Sequence, residues 1–302
     1  LKQSLMPKVA NSTSITTDFG PDFACYDLQR APLCYDFLAW AIDREMERVR
    51  AGAPAPLKIA FLMPSHGRII EPYAKQLFDG VILPIVDLLG ATIDERAANV
   101  RCHREYYCFM PVVEAVLKGE QVPVLRPRMS AVEQVHKLVA GNPPVTITLR
   151  EAPNDEHRNS NNEAWLRFAK ELRDEGERVI FVRDTAKADE PMEDFETCPA
   201  ASRDLHLRVA LYDQAKCNLF VPNGPWTLAL FGSRPWLMFG GVSEEDPHHV
   251  NRPSNWTEYH GVAPGNQFPW SAPDQRVIWN YDHYETIRAA WDELMPKLRA
   301  AA

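Results

Sequence analysis

Several polar stretches of this sequence each follow a short apolar run, and they hold side chains of the types that can grip an anion. Arg150, Glu151, His157 and Arg158 follow Val145–Leu149, and Arg183-Asp184-Thr185 follows Val179–Val182. Asn223-Gly224-Pro225 follows Asn218–Val221, and Gly240-Gly241 with Glu244, Glu245 and Asp246 follows Trp236–Phe239. Two arginines can clamp a diphosphate through paired N–H donors. A glycine next to a proline at a helix start leaves backbone amides open to an anion, which the helix dipole favours. Arg150, Glu151, Arg158, Arg183, Asn223, Gly224 and Pro225 are therefore the candidate anion-binding residues. Each has a plainer alternative: Arg150 and Arg158 can pair on the surface with Glu151 and Asp155, and Arg183-Asp184 can shape a loop.

Two further positions could move protons. Ser65-His66-Gly67-Arg68 closes the apolar run 57–63, and His66 is the candidate general base there. Glu244, with Glu245, supplies carboxylates on the other rim. His248-His249 has no third ligand at a metal-binding spacing. Trp256, Tyr259, Phe268 and Trp270 lie in a long stretch, Gly240 to Gln275, without a clear element. They can stack on a base or sugar, or seal an internal interface.

The elements that must position these groups alternate. Strands are predicted at Leu57–Met63, Val145–Leu149, Val179–Val182, Asn218–Val221, Trp236–Phe239 and Val277–Trp279, with weaker ones at Tyr106–Met110 and Val122–Leu125. Helices fit Leu33–Val49, Tyr73–Leu89, Asn161–Glu175, Arg203–Lys216, Pro225–Phe231 and Tyr284–Leu298. Ser160 to Glu163 has capping-box spacing, and Ser202 can cap the helix after it. Apolar strands alternating with amphipathic helices imply parallel sheets, whose ligands bind at the carboxyl ends of the strands. The expected organisation is an irregular segment, helix and linker over 1–56, an acceptor-side Rossmann-like domain over 57–142, and a nucleotide-sugar-binding one over 143–302. The break falls at Gly141-Asn142-Pro143-Pro144.

Composition removes several classes. The chain has 302 residues, 45% of them hydrophobic, which suits a folded globular protein. A formal net charge of −8 with no Lys/Arg run argues against nucleic acid as a partner. The six cysteines form no CxxC pair and read as buried free thiols of a reducing compartment. With no visible membrane span, this suggests a cytoplasmic protein, with peripheral association at the inner membrane face compatible with it. The sequence contains no GxGxxG after a strand, no Walker A motif, no GxSxG elbow and no Asp-x-Asp after a strand.

The second half resembles the donor-binding domain of GT-B-type glycosyltransferases, the heptosyltransferase-like group of lipopolysaccharide and capsule assembly. The stretches that carry the resemblance are 145–151, 177–185, 218–229 and 235–239. At the turn that faces the donor phosphates in that family, this chain has Asn-Gly-Pro in place of an acidic or Thr-Gly element. The resemblance implies an α/β fold of two Rossmann-like domains with parallel sheets facing across a cleft. It further implies metal-independent sugar transfer from a nucleotide sugar to a glycan or lipid-linked acceptor, with no cofactor beyond that substrate. Arg150 and Arg158 would hold the diphosphate, and a base from the first half would activate the acceptor. Two alternatives stay open: a sugar-nucleotide epimerase or hydrolase using Glu244 and Glu245, and a non-catalytic glycan- or partner-binding module.

Overall fold

A computed structural model describes residues 20–28, 31–62, 72–94, 108–153, 156–247 and 250–301. The first half carries a parallel sheet in the order β1-β2-β3, formed by Phe23–Asp27, Lys58–Leu62 and Thr92–Ile93. The second half carries a parallel sheet in the order β6-β5-β4-β7-β8-β9. Its strands are β4 (Val145–Thr148), β5 (Val179–Val182), β6 (Glu196–Thr197), β7 (Cys217–Phe220), β8 (Trp236–Phe239) and β9 (Gln275–Ile278). The order reverses beside β4, the kind of switch point where open α/β sheets bind ligands.

The helices of the first half are α1 (Asp36–Arg50), α2 (Pro72–Leu77), α3 (Leu83–Leu88), α4 (Met110–Leu117) and α5 (Met129–Val139), with a π-helical turn at Phe78–Ile82. Those of the second are α6 (Asn162–Asp174), α7 (Pro199–Arg203), α8 (Leu205–Gln214), α9 (Trp226–Leu230), α10 (Pro253–Tyr259) and α11 (Tyr284–Ala301). Among the described residues no helix is long and apolar enough to cross a membrane.

The second sheet is apolar on both faces because helices cover both. Along β8 the pleat sends Trp236 and Met238 to one core, and Leu237 and Phe239 to the other. The second of these cores is closed by Trp165 and Phe168 of α6 and Trp291 of α11. The first is shared, for Tyr26, Trp40 and Phe61 of the first half join Phe220, Trp226 and Trp236 in one buried cluster. The two halves therefore meet through packed aromatic surface.

Several expectations need correction. β1 lies in a segment read as irregular, and its pairing with β2 brings residues 23–27 into the first sheet. Val122–Leu125 forms no strand, because Pro123 and Pro127 cannot donate to a ladder. Met110, assigned to the end of a strand, instead begins α4, whose first turn accommodates Pro111. The helix expected at Arg203–Lys216 starts at Leu205, where Asp204 accepts hydrogen bonds from the His206 and Leu207 amides. Ser202 does not cap it, since its hydroxyl donates to the Arg183 carbonyl. The Ser160–Glu163 capping box is not formed either. Asn161 caps α6, and Ser160 Oγ accepts from the Arg150 amide. Cys25 is disulfide-bonded, which contradicts the free-thiol reading there; Cys34, Cys108, Cys198 and Cys217 are free.

Candidate active site

A cleft of about 360 Å³ opens at the carboxyl edge of the second sheet, where residues of both halves converge. Tyr35 and Asp36 enter it from the start of α1, and Phe109 from the residue before α4. The turn after β7 contributes Asn223 and Gly224, and the loop after β4 contributes Arg158. The stretch around α10 adds Asn251, Trp256, Tyr259 and His260.

Asp36 is the carboxylate of this cleft. Burial pushes its carboxyl above the usual aspartate value, opposed by hydrogen bonds from Cys34 and Tyr259 and by the charge of Arg158. Burial and the neighbouring Asp36 charge push the Tyr259 phenol far up, so it stays a hydrogen-bond donor. His260 has been driven the other way. Burial, with the Arg158 charge, lowers its imidazole to about 3, so the ring is neutral near pH 7. It packs on Trp256, with ring centroids 4.3 Å apart, and stacks on Phe109 at 5.7 Å.

Several buried polar atoms of these residues lack a partner: Asn223 Nδ2, Asn251 Oδ1, Trp256 Nε1 and His260 Nδ1. Buried polar groups are normally satisfied, and each orphan costs about 1–3 kcal/mol. Their concentration around one cleft with aromatic walls suits a ligand rich in hydroxyls and acceptor oxygens.

Neighbouring elements hold these groups in place. Asp246, buried in the loop after β8, accepts from the Asn251 amide at 2.6 Å, and its Oδ1 lies 3.4 Å from His157 Nε2. One carboxylate thus links the segment carrying Arg158 to the segment carrying Asn251. Arg150 braces the same loop from below, with Nη1 donating to Asn159 Oδ1 at 2.5 Å.

The residues predicted from sequence are placed differently from one another. Arg158, Asn223 and Gly224 line the cleft. Arg150 does not, and Pro225 is the residue before α9 and not its first helical position. Glu151 and Arg183 form a buried ion pair, with N···O distances of 2.5 and 2.9 Å, and Arg183 also donates to the Glu190 and Pro191 carbonyls. Their charges are thereby spent on bracing the strand ends. Glu244 is exposed and away from the cleft lining. His66, like His248 and His249, lies outside the described residues. Trp256 and Tyr259 face the cleft, whereas Phe268 is buried in the shared core and Trp270 donates its indole N–H to the Leu230 carbonyl.

The space at Gly224 is filled from within the protein. Asn223 Oδ1 already caps the Trp226 amide at 3.1 Å, and a Cβ at Gly224 would collide with the Tyr35 ring. The bare position admits a side chain of this same protein.

Sequence reasoning missed Asp36, Tyr35, Asn251 and His260. The signal for Asp36 was the apolar run Phe23–Tyr26 ahead of it, which makes residues 33–36 the segment linking a strand to a helix. Nothing in the sequence marked His260 apart from its aromatic neighbourhood.

Two parallel sheets joined at a cleft on the carboxyl edge of the larger one are the arrangement of the GT-B fold. The structure is similar to that of E. coli ADP-heptose LPS heptosyltransferase II, at 13% identity and a TM-score of 0.52, over 93% of this chain and 99% of that one. It is likewise similar to the glycosyl transferase family 9 structure from Veillonella parvula DSM 2008, at 12% identity and a TM-score of 0.53, over 91% and 97%. The likeness lies in the fold. No protein-family model matches the sequence, and no curated protein matches it either.

Proposed function

We propose that the chain is a glycosyltransferase that moves a sugar from a nucleotide-sugar donor to a hydroxyl of a glycan or lipid-linked acceptor. The observation that carries this reading is the meeting of Asp36, from the first half, with Arg158 and Asn223, from the second, in one cleft. A base on one side and a cation with an unpartnered amide donor on the other are what transfer between two bound substrates requires.

In the proposed reaction the acceptor hydroxyl gives its proton to Asp36 as its oxygen bonds to the anomeric carbon. The bond from that carbon to the diphosphate oxygen breaks, and the nucleoside diphosphate departs with the electron pair. Arg158 and Asn223 Nδ2 receive the negative charge that develops there, so the reading assigns no metal to the step. The raised carboxyl of Asp36 makes it a stronger base than an exposed aspartate once it has ionised. His260, neutral, and Asn251 offer hydrogen bonds to sugar hydroxyls. Action at the inner face of a membrane, where a lipid-linked acceptor would be met, belongs to the same proposal.

The deciding assay follows sugar transfer from radiolabelled nucleotide sugars to cell-derived glycans and lipid-linked acceptors, comparing the native protein with Asp36→Asn. Transfer by the native protein, reduced about 10²–10⁴-fold in the variant, supports the reading. Release of free sugar or of an epimer, with no acceptor product, would replace it with hydrolase or epimerase chemistry.

A further inference from the structure

We propose that Tyr35 and Gly224 form a key and slot that seats the start of α1, and with it Asp36, against the turn between β7 and α9. This rests on Asp36 being the base. A Cβ built at Gly224 would lie 2.1 Å from Tyr35 Cδ2, 2.7 Å from Cγ and 2.8 Å from Cε2, so the ring occupies the space of the missing side chain. Gly224 does not have the positive φ that would itself demand glycine. The requirement is for room alone.

The slot is rigid. Asn223 Oδ1 accepts from the Trp226 amide, and Thr227 Oγ1 donates to the Gly224 carbonyl at 2.7 Å. The key is backed by packing, for Tyr35 lies against the shared core and Phe37, Leu38 and Trp40 of the same helix are fully buried in it. Tyr35 stands at the N-cap of α1 and makes no capping hydrogen bond with its side chain, so its ring meets the turn by packing alone. Burial pushes the Tyr35 phenol up to about 12, and its electrostatic neighbours are Arg208, Tyr212 and Asp184. Tyr212 meets Thr148 at the end of β4 at 2.9 Å, and Asp184 follows β5. The ring therefore reaches from the first half into the carboxyl edge of the second sheet. Asp36 is the next residue along the chain, and its distance from Arg158 and Asn223 is set by this insertion.

The test compares Gly224→Ala, Tyr35→Leu, the double variant and Tyr35→Phe. Seating predicts that Gly224→Ala and Tyr35→Leu each lower kcat on the order of 10–100-fold, while the donor KM changes far less. The double variant should be no worse than either single one, because both changes break the same contact. Tyr35→Phe keeps the ring and should retain most of kcat. Carbon-13 NMR titration of the Asp36 carboxyl needs no substrate. Gly224→Ala should move its midpoint down, toward that of an exposed aspartate, as the displaced ring lets water in. Independent, multiplying losses in the double variant would overturn the proposal. So would tighter donor binding in Tyr35→Leu, which would make the ring a plug that the donor displaces. If the native protein transfers no sugar yet the midpoint moves as predicted, the seat stands and the transferase reading falls.

Discussion

Asp36, Arg158 and His260 are chemically intelligible only as a set. Arg158 opposes the burial that raises Asp36, and adds to the burial that lowers His260. As the proposed base Asp36 must be ionised to work, so the acid limb of kcat/KM should sit above the ordinary aspartate value of 3.8. A pH–rate profile checks this, and Arg158→Ala should move the limb higher still, because the charge that opposes burial is gone. His260 makes a separate prediction about stability. Its folded value of about 3 lies below the ordinary 6.5, so between those limits the unfolded chain holds the extra proton. Its contribution to stability is therefore fully present above 6.5 and lost as pH falls through that window toward 3. Thermal unfolding of the native protein and His260→Gln across this range should show the steeper acid loss in the native protein. Equal slopes would mean that the ring is already solvated.

At the scale of elements, the cleft depends on loops tied down by buried carboxylates. Asp246→Ala should weaken donor binding much as loss of Arg158 does, although Asp246 makes its bonds to the Asn251 amide and His157. Calorimetric titration of both variants checks this, and unchanged affinity in Asp246→Ala would show that the loops hold themselves. Glu151→Ala should cost about 3–5 kcal/mol of stability by stranding the Arg183 charge, read by denaturant unfolding. The central strands were legible because β4, β5, β7 and β8 are short apolar runs bounded by polar turns, and the parallel sheet followed from the helices between them. β1 was not, because Phe23-Ala24-Cys25-Tyr26-Asp27 follows a polar start and pairs only with a distant strand. Proline decided Val122–Leu125, where the apolar pattern alone suggested a strand. Arg158 and Asn223 were found from their places after strands. Asp36 and His260 were not, since each gains its character from burial among residues distant in the chain.

Taken as a whole molecule, the protein is two parallel sheets whose shared aromatic core brings the start of α1 to the edge of the larger sheet. That contact makes the cleft, and it explains why neither half holds both Asp36 and Arg158. On the proposed function the cleft binds the diphosphate of a nucleotide sugar through Arg158. The most direct measurement is calorimetric titration with ADP, GDP, UDP and CMP, and with sugar conjugates of each, using the native protein, Arg158→Ala and Arg150→Ala. Saturable binding of one nucleotide and its conjugate is expected, weakened about 10–100-fold in Arg158→Ala by loss of a charge-assisted contact, and less in Arg150→Ala, which loses one brace of the loop that carries Arg158. Absence of binding at millimolar concentration, or binding indifferent to Arg158, would contradict it.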